Sequence, residues 1–136
     1  MHFIFLSLNN KRLETKTLKY LPTLKLTSIP LEASKSESNR ALIINALSGN
    51  SSVLYNLSNA RDTQTMLRLL ESTDEVLDVL DAGTTMRFLT AYSLFKKQPT
   101  VLTGTERMQQ RPIKILIDAL RKLGAKIKYQ GVEGFP

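Results

Sequence analysis

The chain has 136 residues, 42% of them hydrophobic and 23% charged, which suffices for one modest domain with a real core and is too apolar for a disordered tail. It contains no cysteine and its one histidine is His2, so disulfides, thiolate nucleophiles, Cys- or His-ligated metal sites and a Ser-His-Asp triad cannot be assembled from its residues. A formal net charge of +7 points to anionic partners without separating nucleic acid from small phosphorylated metabolites.

The chain opens on an apolar run, His2 to Leu8, too short for a membrane span and without the basic start or small-residue cleavage site of a signal peptide. It reads as the start of a cytoplasmic protein. Residues 1–23 form a leader without assigned role, with a turn expected at Asn9-Asn10 and a strand at Lys16 to Tyr20.

Residues 24–136 read as one α/β domain, because a strand-like run, a polar loop and a helix-like run recur four times. The first unit is a strand at Leu24 to Ile29, a Ser/Lys loop and a helix at Ala41 to Leu47. The second is a strand at Ser52 to Leu57 and a helix at Thr63 to Leu70, with Asp62 as N-cap. The third is a strand at Glu75 to Leu80, the loop Asp81-Ala82-Gly83-Thr84-Thr85 and a helix at Met86 to Phe95. The fourth is a strand at Pro99 to Thr103, a loop from Gly104 to Arg111 and a helix at Pro112 to Leu123. There Pro112 suits the first helical position, Gly124 the stop, and Ile113, Leu116, Ile117, Leu120 and Leu123 make a core stripe. Each loop before a helix carries a cation or a glycine, so helix N-termini and cations can be aimed at one end of a sheet.

Three of these loops bear on chemistry. Glu32-Ala33-Ser34-Lys35-Ser36-Glu37-Ser38-Asn39-Arg40 sets Lys35 and Arg40 at the mouth of a serine-capped helix, which is either an anion site or a solvated cap with two surface cations. In Asp81 to Thr90, Gly83 sits where a strand hands over to a helix, and it either lets a ligand approach the backbone or is an ordinary turn glycine. Leu102 to Ile113 carries Arg107 and Arg111 just ahead of the last helix, a pattern suited to clamping a dianion. The plainer alternative has Arg111 paired with a neighbouring carboxylate and Arg107 solvated, and for Arg111 the plainer reading is the expectation. The phosphate-binding P-loop pattern and the Rossmann fingerprint are both absent.

Together the segments Ser34-Lys35-Ser36-x-Ser38-Asn39-Arg40-Ala41-Leu42, Ala82-Gly83-Thr84-Thr85-Met86-Arg87 and Leu102-Thr103-Gly104-x-x-Arg107-Met108-x-x-Arg111-Pro112-Ile113 closely resemble the enolpyruvyl transferases, and within them the 5-enolpyruvylshikimate-3-phosphate (EPSP) synthase family. The closing Leu123 to Ile127 and Glu133 to Pro136 are similar to that family too. The resemblance implies a domain built from βαβαββ units, with shikimate 3-phosphate and phosphoenolpyruvate as substrates. The shikimate 5-hydroxyl adds to the enolpyruvyl carbon before phosphate leaves, and no cofactor or metal is implied. It also implies that Lys35, the catalytic residue, contacts both substrates, that Ser36 and Arg40 hold shikimate 3-phosphate, and that Gly83 and Arg107 hold phosphoenolpyruvate. Thr84 and Arg87 shape the wall, and the inhibitor glyphosate competes for the phosphoenolpyruvate position against Gly83.

Ala33 stands where that family usually has glycine, and the stretch from Leu70 to Asp81 is short for a member. The family's proteins are several times longer, so the chain is expected to be an N-terminal fragment, inactive alone and prone to self-association through exposed sheet edges. The sister family that acts on UDP-N-acetylglucosamine is the alternative closest in chemistry, but it has Lys-Asn where this chain has Lys35-Ser36. A basic nucleic-acid-binding module is the alternative from another class. Dispersed cations without interleaved aromatics argue against it, so the expected partners include neither nucleic acid nor membrane.

Overall fold

In a computed structural model of the chain, residue 17, residues 19–20 and residues 28–136 are described. The expected turn at Asn9-Asn10 lies outside them, as do most of the strands expected at Lys16 to Tyr20 and Leu24 to Ile29. The chain divides into two compact units, Met1–Pro30 and Leu31–Pro136, and everything that follows concerns the second.

That unit is mixed helix and strand, as expected. In chain order it comprises α1 (Lys35–Leu47), α2 (Arg61–Glu71), β1 (Val76–Asp78), α3 (Gly83–Tyr92), a 3₁₀ turn (Ser93–Phe95), β2 (Val101–Thr103), α4 (Glu106–Gln109) and α5 (Lys114–Lys122). Strands β1 and β2 pair in parallel, with Val76 opposite Val101, Leu77 opposite Leu102 and Asp78 opposite Thr103. Two further backbone bonds, Val79 N–H to Thr103 at 2.9 Å and Val101 N–H to Glu75 at 2.8 Å, extend the ladder at its ends. Parallel neighbours need a crossover, and α3 supplies it, so β1, α3 and β2 form a βαβ unit.

The core gathers Met66 and Leu69 of α2, Leu77 and Val79 of β1, Met86 and Leu89 of α3, Met108 of α4, and Ile113 and Ile117 at the start of α5, with Leu42 and Ile43 of α1 packed on. Leu77 and Val79 are both fully buried while Val76 and Leu80 are exposed, the alternation that a strand with one buried face requires. Helix α2 spaces its buried Thr63, Met66 and Leu69 three apart, so one stripe meets the core. Each fully buried leucine or methionine of this set contributes about 1.5–3 kcal/mol.

Several sequence expectations are corrected. No strand forms at Ser52 to Leu57. Asn56 there has φ of 54°, which breaks an extended run, and Val53 and Tyr55 are exposed while Leu54 and Leu57 turn toward the core. Leu54 and Leu57 are three residues apart, not the two that one face of a strand requires, and no strand among the described residues pairs with the segment. Helix α2 begins after Ala60, so Asp62 lies within its first turn and is not the cap. Helix α5 begins at Lys114 with Ile113 as N-cap, and Leu123 is its C-cap, 85% exposed and outside the core stripe. Gly124 ends that helix with φ of +96°, as the sequence predicts.

Candidate substrate-binding site

Three helix beginnings meet at Asp62. Ser34 caps α1, its Oγ accepting from the Glu37 N–H at 3.4 Å, which leaves Lys35 as the first helical residue. Lys35 Nζ lies 3.1 Å from Asp62 Oδ2 in the first turn of α2. The backbone carbonyl of Asp62 accepts from the hydroxyl of Thr85 in α3 at 3.2 Å, and Thr85 is fully buried. Ser38 Oγ accepts from the Ser58 N–H at 2.9 Å, which pins α1 to the segment leading into α2.

Helix α3 begins differently from α1. Its N-cap is Ala82, which has no side chain to offer, and among the described residues the N–H groups of Gly83, Thr84 and Thr85 find no acceptor. These donors and the positive end of the helix dipole therefore remain for another acceptor. Two arginines complete the surroundings. Arg87 donates from Nη1 to the Gly83 carbonyl at 3.1 Å and from Nη2 to the Pro112 carbonyl at 3.0 Å, so it straps the segment before α5 to the start of α3. Arg111, the residue before Pro112, lays its guanidinium against Gly83, with Cζ and Nη2 at 2.8 and 2.9 Å from where a Cβ on that glycine would stand.

The structure thus brings Lys35, Gly83, Thr84 and Arg87 together around the starts of α2 and α3. Ser36 and Arg40 are exposed on α1 and Arg107 is exposed on α4, and none of the three hydrogen-bonds through its side chain to another described residue. Sequence reasoning missed two members. Asp62 was expected as a cap and instead pairs with Lys35. Arg111 was expected to pair with a carboxylate, yet it makes no ion pair among the described residues and lies on Gly83. The sequence signal for Arg111 is its place in the same motif as Arg107, while the meeting of its guanidinium with Gly83 is a tertiary contact that no local pattern encodes.

Beside this cluster is a cleft of about 100 Å³ lined by Arg61, Asp62, Thr65, Leu80, Asp81 and Ala82. A larger cavity of about 830 Å³ runs between the end of α3, β2 and the segment after α5 and contains none of the expected site residues. No group of three histidines or carboxylates among the described residues converges as a metal site.

Cations and bare helix N–H groups thus lie beyond the C-terminal ends of the parallel strands of an α/β protein. Residues 68–136 match the family described as EPSP synthase (3-phosphoshikimate 1-carboxyvinyltransferase), and the chain belongs to that family. Two proteins of Bacteroides fragilis, from strains YCH46 and ATCC 25285, are 56% and 55% identical over 122 residues, covering 88% of this chain and 30% of theirs. A protein of Sulfurovum sp. (strain NBC37-1) is 38% identical over 134 residues, covering 79% of this chain and 31% of its own. All three are named 3-phosphoshikimate 1-carboxyvinyltransferase, and the chain spans about 30% of the length of such relatives.

Proposed function

We propose that this chain is the N-terminal part of a 3-phosphoshikimate 1-carboxyvinyltransferase, which transfers the enolpyruvyl group of phosphoenolpyruvate to the 5-hydroxyl of shikimate 3-phosphate and releases phosphate. The observation that carries this reading is the 56% identity to a relative of that name across 88% of the chain. The clustering of Lys35, Gly83, Thr84 and Arg87 at uncapped helix N–H groups supports it, because both substrates are multiply anionic.

In this reading the hydroxyl oxygen bonds to the central carbon of phosphoenolpyruvate, the hydroxyl proton leaves and the terminal methylene gains one. The carbon–oxygen bond to phosphate then breaks as the methyl group gives a proton back. Lys35 serves both substrates, its ammonium offsetting the charge that gathers between them. Ser36 and Arg40 hold shikimate 3-phosphate, Gly83 and Arg107 hold phosphoenolpyruvate, and Thr84 and Arg87 support that wall. No cofactor takes part. The proton-transferring carboxylates belong to the part of the protein outside this chain, and the enzyme works in the cytoplasm without nucleic acid or membrane as partner.

Phosphate release from the two substrates tests the reading. The whole protein turns over, and Lys35→Ala lowers kcat/KM by about tenfold or more, the loss of a charged contact. The isolated 136-residue chain is no faster than its own Lys35→Ala control. Turnover by the isolated chain above that control contradicts the assignment of the missing groups. Sedimentation of the same sample reads its self-association through unpaired strand edges, and a clean monomer at high concentration removes that expectation.

A further inference from the structure

Asp81 is the residue that a helix start would ordinarily claim. Aspartate is among the best N-cap residues, and its negative charge suits the positive end of a helix. It stands immediately before Ala82, the N-cap of α3, whose first N–H groups find no acceptor among the described residues. Gly83 is two residues on, at most about 7 Å along the chain. Yet the carboxylate is turned elsewhere: Asp81 Oδ1 accepts from the hydroxyl of Thr105 at 2.5 Å, the short length of a charge-assisted bond. We propose that Thr105 is a positioning residue of the site, holding the Asp81 carboxylate away from the start of α3 so that a substrate anion, and not the protein's own, takes those N–H groups. The proposal rests on the functional reading above and adds to it what keeps that site open.

The fold prepares this hold from both sides. Thr105 is the N-cap of α4, and its Oγ1 accepts from the Met108 N–H at 3.4 Å, which leaves the hydroxyl proton to point outward. The Thr105 N–H bonds the Leu80 carbonyl at 3.3 Å, one residue before Asp81. Leu80 in turn has φ of 54°, a left-handed conformation uncommon for any residue but glycine, and its N–H bonds Asp78 Oδ1 at 2.8 Å. The bend at Leu80 thus turns the chain so that Asp81 meets the start of α4. Arg61 lines the same cleft as Asp81 but makes no ion pair among the described residues, so it does not take the carboxylate from Thr105.

The test is a double-mutant cycle on the whole protein, with Kd for inorganic phosphate read by calorimetry at low ionic strength. Thr105→Val keeps the shape, loses the hydroxyl and releases the carboxylate, which weakens binding about three- to tenfold, the range of one charge or cap at a helix start. Added salt shrinks that loss. Asp81→Ala binds no more weakly than the wild type, and Thr105→Val combined with Asp81→Ala binds as Asp81→Ala does. Both proteins that carry Thr105→Val lack the same α4 cap, so lost stability cannot explain a recovery confined to one of them. Thr105→Ser keeps the hydroxyl and the wild-type Kd. In turnover, Thr105→Val raises KM for phosphoenolpyruvate and leaves kcat near the wild-type value, the split expected of lost binding. A loss that persists in the double variant overturns the proposal, because it then comes through α4 and not through Asp81, as does a Kd unchanged in Thr105→Val or a wild type that binds no phosphate. A wild type that shows this cycle yet does not convert the two substrates keeps the role of Thr105 and refutes the proposed function.

Discussion

Gly83 and Gly104 each follow one of the two parallel strands, Gly83 as the first residue of α3 and Gly104 in the loop just before α4. Their surroundings differ in kind. A Cβ on Gly83 would meet only the guanidinium of Arg111, whereas one on Gly104 would stand 2.6 Å from the Leu80 carbonyl oxygen and 2.8 Å from Cβ and Cγ of the buried Met108. Backbone and core cannot step aside as an arginine tip can. The space beside one glycine is closed by backbone and core and that beside the other by the tip of an arginine, although the sequence writes both as a glycine followed by threonine.

The largest effect that sharpens this contrast is on stability. Gly104→Ala forces β1, through Leu80, away from α4, an overpacking that costs about 1–3 kcal/mol. Thermal or urea unfolding of the whole protein reads it. Gly83→Ala, at the first position of α3, exchanges a poor helix former for the best one, a gain of up to about 1 kcal/mol that offsets the displacement of Arg111. Its melting temperature should stay near that of the wild type while its phosphate affinity falls. Equal destabilisation by the two substitutions would erase the distinction and make Gly83 a structural glycine as well.

Much of the scaffold was legible because its signals are local. Helices α2, α3 and α5 fall within a few residues of where periodicity and stop signals put them, and β1 and β2 lie inside the predicted runs. Helix α1 begins six residues before the apolar run that announced it, since Ser34 caps the polar motif itself and carries Lys35, Ser36 and Arg40 on the helix. What was not legible depends on partners remote in sequence. The strand-like run at Ser52 to Leu57 suggests a strand, yet a strand exists only where a neighbour completes its ladder. Asp62 looks like a cap until Lys35, 27 residues earlier, is placed beside it. Arg111 looks ready for a carboxylate until the fold sets Gly83, 28 residues earlier, against its guanidinium. The motifs gave the residue types of the site, while the crossover through α3 decides which of them meet.

The smallest expected effect concerns the other side of the cluster, where Lys35 already has a partner. Its bond to Asp62 joins side chains that are 47% and 28% exposed, so solvent and salt screen it, and its loss costs about 0–1 kcal/mol of stability. Asp62→Asn should therefore barely move the melting temperature. Its effect on binding is a gain: removing a carboxylate that competes for Lys35 leaves the ammonium free for an incoming anion. Phosphate should bind severalfold more tightly at low ionic strength, with the gain fading as salt is added. The main-chain bond from Thr85 to the Asp62 carbonyl survives the substitution, so the start of α2 stays where it is. Weaker phosphate binding in Asp62→Asn would mean that the carboxylate aims Lys35 at the ligand and does not compete for it.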